Sequence, residues 1–159
     1  MSDAFKGEMT RLWGSLGLAA PLLRDQNTAV LKVDDIDIVL TETPDGRCVV
    51  ATARAGRLSG DPSRRADQIR SLLQANLGLL ARNRSCICLD DKAAPHPTVL
   101  VQALYPYALR QIERLKGAIE DVLAMVELHR SSLSDQPPPR IAASGTVASQ
   151  AGEAVIFRP

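Results

Sequence analysis

Aromatic side chains are scarce in this chain. Two Phe, two Tyr and one Trp make up 3% of its 159 residues. A core here has to be built from Leu, Val, Ile and Ala, and the single Trp13 is expected to pack in it rather than stack on a ligand. Net charge is scarce as well: 19 Lys and Arg against 18 Asp and Glu leave +1. Without a sustained positive field, nucleic acid and anionic membrane surfaces are excluded as partners. Three cysteines, an odd number with no framework spacing, exclude a disulfide-stapled secreted scaffold. No apolar run approaches the roughly 18 residues of a spanning helix, and the N-terminus carries neither a lysine-flanked apolar core nor a cleavage signature. The expected compartment is the cytoplasm.

Catalytic chemistry is also thin. The two histidines are His96, in a proline-flanked loop, and His129, near the end of a helix where a cation suits the dipole. Asp34, Asp35 and Asp37 lack the spacing and the distal glutamate of a calcium loop, and read as turn acids. Cys86 and Cys88 share one face of a strand, without the spacing of a zinc or redox pair, and read as buried thiols. No Ser-His-Asp arrangement or phosphate-cradling glycine loop stands out. The expectation is a protein that is not an enzyme, with no cofactor and no metal. A small enzyme or ligand-binding domain using Asp34, Asp37 and His96 is the competing class.

The chain's centre is the stretch 28–54. Val30, Leu31, Val33, Ile36, Ile38, Val39, Leu40, Val49 and Val50 give β-branched and aliphatic bulk in partial alternation, which favours strands. Asp34-Asp35 and Pro44-Asp45-Gly46 supply the turns, so a three-stranded antiparallel meander is predicted. Its outer strand is expected to leave backbone groups free to pair with another chain. Before it, Phe5, Met9, Leu12, Trp13 and Leu16 form one stripe of a helix over about 2–18. After it, Asp61-Pro62 opens a second helix running to about Leu80. The second half of that helix is apolar nearly all round, so one domain of this size cannot bury it and a partner subunit is inferred. Strands follow at 84–90 and 98–104, then a long amphipathic helix over about 107–131. Residues 1–131 are expected to form one domain. Residues 132–159, rich in Pro, Ala and Ser, read as a disordered tail, and Ala154-Val155-Ile156-Phe157 as its frayed end.

This order resembles the class I chaperones of bacterial type III secretion systems, the Tir chaperone (CesT-like) family. Three segments carry it: Val33-Asp34-Asp35-Ile36-Asp37-Ile38, Leu72-Leu73-Gln74-Ala75-Asn76-Leu77, and the long closing helix. The resemblance implies an α+β fold, an α-β-β-β-α-β-β-α sandwich with its antiparallel sheet covered by helices, paired as a homodimer in the bacterial cytoplasm. It implies a virulence-associated, non-enzymatic role in which the N-terminal segment of a secreted effector is held extended by β-augmentation. The secretion ATPase is a further candidate partner, and a general adaptor of the same fold is the alternative function. Carried onto this chain, the effector surface falls on Leu12, Leu16, Leu31, Val33, Ile36 and Ile38. The dimer contacts fall on Leu72, Leu73, Asn76, Leu79, Ile87 and Leu89. The near-neutral charge departs from the usual acidity of such chaperones, and the tail is longer than theirs.

Overall fold

The computed structural model describes residues 3–21, 23–25, 27–80, 85–90, 97–107 and 111–133, with the side chains of 23–25, 79 and 80 excepted. The tail assigned to 132–159 therefore lies outside the described residues from 134 onward, as do His96, Leu109, Ala154-Val155-Ile156-Phe157 and the side chain of Leu79. The elements in chain order are α1 (Asp3–Ser15), β1 (Leu23–Asp25), β2 (Thr28–Val33), β3 (Ile36–Glu42), β4 (Cys48–Arg57), α2 (Pro62–Leu80), β5 (Ser85–Asp90), β6 (Thr98–Pro106) and α3 (Ile112–Leu133). The strands form one six-stranded sheet in the order β1-β2-β3-β4-β6-β5, with every neighbour antiparallel. The expected α+β layout is present, with one strand added at the edge.

Turn chemistry sets the meander. Val33 pairs with Ile36 across Asp34-Asp35, and Asp34 sits at φ 50°. A two-residue hairpin of right-twisted strands needs such a left-handed residue, and aspartate tolerates it. At the next turn Gly46 has φ 64°, and its N–H donates to the Thr43 carbonyl at 2.8 Å. Asp45 accepts from the Thr43 hydroxyl at 2.6 Å and the Arg47 N–H at 3.1 Å. Those two bonds, the hydroxyl's first, hold its carboxyl below the usual carboxylate range.

Alternation then puts Leu31, Ile38, Leu40, Val49, Ala51, Ala53, Val99, Val101 and Ala103 on one buried face. Helix α3 lies across that face, over β4 and β6, and α1 packs against α3. Phe5, Met9, Leu12 and Trp13 are buried, so Trp13 is a core residue. The alanines of β4 leave room for α3 to approach closely, and at Gly56 an added Cβ would lie 2.6 Å from the Leu133 Cβ.

Three boundaries differ from the sequence expectation. The outer edge of the meander is not wholly open, because β1 pairs with Thr28 and Ala29. β6 does not break at Tyr105-Pro106-Tyr107. It continues to Pro106 opposite Cys48, and the Tyr107 N–H goes on to bond the Arg47 carbonyl at 2.9 Å. α3 starts at Ile112 rather than 107, and the Gln111 N–H ahead of it is taken by the Tyr105 hydroxyl at 3.0 Å.

Candidate functional site

Helix α1, strand β2 and helix α3 enclose a cleft of about 460 Å³. Leu12, Leu16 and Leu18 line it from α1 and the residues after it, Leu31 and Val33 from β2, and Ile119 and Leu123 from α3. Lys32, Asp34, Lys116 and Glu120 stand around these apolar walls. Lys116 bonds Glu113 at 3.1 Å across one turn of α3. Such walls can take apolar side chains, and a charged rim of both signs can set the orientation of a chain lying across them.

The cleft opens beside main chain that can pair. The closing pair of the hairpin is Val33 and Ile36, and the Glu42 N–H bonds the Asn27 carbonyl at 3.0 Å. Alternation from those two points turns the amides and carbonyls of Val30 and Lys32 away from β3. Among the described residues β2 has no second neighbour strand beyond Ala29. A segment laid along this edge would place alternate side chains over the cleft.

Of the six effector-surface residues expected from sequence, Leu12, Leu16, Leu31 and Val33 come together here. Ile36 instead lines a neighbouring cleft of about 430 Å³ with Arg54, Arg57 and Arg130. Ile38 is fully buried under the helices and lines neither cleft. Leu18, Ile119 and Leu123 were missed. The last two carry a legible signal, their place on the apolar stripe of α3, but that stripe also builds the core and the sequence does not divide the two uses.

A second surface surrounds α2. The helix starts on Asp61, whose carboxylate accepts the Arg64 N–H at 2.7 Å. Its contact with the domain includes a stripe spaced by four. Gln68 accepts the Ser59 N–H and donates to the Ser132 carbonyl, both at 2.8 Å. Leu72 is buried, and Asn76 bonds both main-chain groups of Ile87. Off that stripe, Leu73 is 59% and Leu77 71% exposed, and Leu89 on β5 is 47% exposed. Of the expected dimer contacts, Leu72, Asn76 and Ile87 therefore make their contacts inside their own chain. Leu73 and Leu89 face outward, joined by Leu77, which the sequence assignment omitted.

Burial pushes the Cys88 thiol up, with Cys86 and Asp90 adding to the shift, so the thiol stays protonated. Among the described residues no three His, Cys, Asp or Glu side chains stand where they could hold a metal ion. No described helix is long and apolar enough to cross a membrane. His129 is buried rather than presented as a helix-end cation, and burial lowers its pKa. That corrects the dipole reading: with little water around it, the neutral imidazole is favoured.

The Tir chaperone protein (CesT) family matches residues 10–127, which span α1 to most of α3. The chain belongs to this family. Three solved structures carry the same fold. A chain of the HopA1–SchA chaperone–effector complex superposes with a TM-score of 0.66 at 16% identity, covering 80% of this chain and 93% of its own length. A chain of the ExsC–ExsE complex gives 0.65 at 16% identity, covering 83% and 95%. A chain of the heterodimeric ExoU–SpcU complex, from the type III secretion system of Pseudomonas aeruginosa, gives 0.64 at 12% identity, covering 80% and 99%. No curated protein matches the sequence. The CesT-family chain thus combines the fold of type III secretion chaperones with an apolar cleft beside a strand edge and with exposed leucines on α2 and β5.

Proposed function

We propose that this CesT-family chain is a type III secretion chaperone that binds the N-terminal region of an effector in extended form and keeps it soluble and secretion-competent. One observation carries the reading: in a chain of this family, the cleft of Leu12, Leu16, Leu31 and Val33 lies along the stretch of β2 that has no second neighbour among the described residues. An extended client segment adds a strand there, its main chain bonding β2 and its alternate apolar residues entering the cleft. No bond is made or broken, so the role needs neither catalytic residue nor cofactor. Burial of the client's apolar side chains supplies the affinity, and occupation of a bare edge prevents aggregation.

The working unit is a homodimer paired through Leu73, Leu77 and Leu89, because an exposed apolar face of this kind is a solubility liability unless covered. The compartment is the bacterial cytoplasm, where the client is held before export, and hand-over to the secretion ATPase is the step that follows. The domain organisation that goes with this role is a chaperone domain with a tail after it, the boundary falling no earlier than Leu133 because α3 takes in the two residues that the sequence reading gave to the tail.

Co-expression with the products of neighbouring reading frames, followed by calorimetry on the captured effector's N-terminal fragment, tests the reading. The expected complex has one extended fragment per chaperone dimer, with new exchange protection on β2 amides. A stably monomeric chain, or fragment binding that leaves β2 exchange unchanged, overturns it.

A further inference from the structure

The sheet has a second edge, and it is treated differently from the first. β5 pairs with β6 on one side. On the other side, the Ile87 N–H donates to Asn76 Oδ1 at 2.7 Å and Asn76 Nδ2 donates to the Ile87 carbonyl at 2.7 Å. A carboxamide carries one acceptor and one donor group side by side, as a peptide unit does, and only one amide orientation satisfies both bonds. Asn76 therefore stands where the peptide of an added strand belongs.

Its placement is central. In an antiparallel ladder, residues alternate between bonding the neighbour and facing outward. Since Ile87 faces outward, Ser85 and Leu89 do too, and Ile87 is the middle one of the three. A strand docking on β5 needs the middle pair to join the outer two, and that pair is taken by a side chain that cannot continue a ladder. Asparagine is a poor helix former in a helix interior. Its presence there breaks a local preference, which the double bond to the strand explains.

We infer that Asn76 is the specificity-determining residue of the β5 edge: it seals that edge against strand addition and leaves β2 as the edge that takes a client. In a pair of copies it also bars a continuous sheet through β5, so the copies meet through the side chains of Leu73, Leu77 and Leu89. The client part rests on the strand-addition reading above, whereas the sealing of β5 stands without it.

The test uses the full chain, first with no client present. In the parent, the Ile87 amide exchanges at least about ten-fold more slowly than that of Leu89, which faces the same side with no such cap among the described residues. Asn76→Ala raises Ile87 exchange about ten-fold or more, leaves Cys86 and Cys88 near parent rates, and moves the light-scattering mass from dimer to larger, concentration-dependent species. Asn76→Leu, nearly the same shape but with neither donor nor acceptor, gives the same changes if Ala fails to fold. An unchanged mass in both variants, or an Ile87 amide that exchanges as fast as Leu89 in the parent, overturns the inference. Client binding is measured separately on the parent. Loss of that binding with β5 behaviour as stated sinks the chaperone reading and leaves the seal standing.

Discussion

Gly56 and Leu133 are in contact across the seam between β4 and α3: a Cβ built on the glycine falls 2.6 Å from the Leu133 Cβ. The neighbour there is the root of a helix side chain, not a flexible tip, so it cannot turn aside. Gly56→Ala must push the last turn of α3 off the sheet. Overpacking of this kind costs about 1–3 kcal/mol. The expected result is a lower urea midpoint with an unchanged slope, whereas Gly14→Ala, with open space around it, leaves the midpoint the same or raised.

That contact also shows where sequence reading stops. The meander was legible because its turns carry their own chemistry, as Asp34-Asp35 and Pro44-Asp45-Gly46 do. The start of α2 was legible because Asp61-Pro62 is a cap and a first-turn residue. Ala51, Ala53, Ala55 and Gly56 announce nothing, since small residues carry little hydrophobic signal. Their meaning lies in how near α3 comes, which is a property of a distant segment. β1, at three residues, is shorter than any period that could reveal it.

The candidate site divides the same way. Helical and alternating patterns marked Leu12, Leu16, Leu31 and Val33 as apolar faces, family likeness marked them as a client surface, and the four share a cleft. Ile38 could not be separated from them, because it alternates in phase with residues on the same face and only the position of its strand in the sheet buries it. Asn76 was picked out on family likeness as a contact between copies. Its actual partner, Ile87, is eleven residues away on the strand that α2 flanks.

Leu16 is the cleft residue best suited to test client binding. It follows the end of α1, is 41% exposed and lines the cleft, so a polar replacement leaves the core intact. Leu16→Asp puts a carboxylate where an apolar client side chain would sit. Effector-fragment affinity is expected to fall by at least about ten-fold, with thermal stability near the parent's. An unchanged affinity in calorimetry removes the cleft from the binding surface.

The leucine face of α2 makes a prediction about mass. Leu73 and Leu77 are exposed in the single chain, so aspartate at both positions costs the protomer's own packing little. Each leucine buried between copies is worth about 1.5–3 kcal/mol. With two per protomer lost, the dimer dissociation constant rises by at least about a hundred-fold. Light scattering at micromolar concentration is expected to give a dimer for the parent and a monomer for the double variant. A parent that is itself monomeric argues against the pairing surface altogether.

His129 makes the fold sensitive to mild acid. Its Nε2 is buried with no hydrogen-bond partner among the described residues, and burial lowers its pKa below the usual 6.5. The unfolded chain therefore takes up the proton first as pH falls, so stability is fully present above about pH 6.5 and is lost below it, until the folded-state pKa is passed. One such group gives a slope of at most about 1.4 kcal/mol per pH unit. Most carboxylates titrate lower, so urea unfolding between about pH 6.5 and 5 isolates the imidazole. His129→Gln, which does not titrate, is expected to flatten the parent's decline over that interval. Equal slopes in the two proteins would mean that the buried imidazole is not what binds the proton on unfolding.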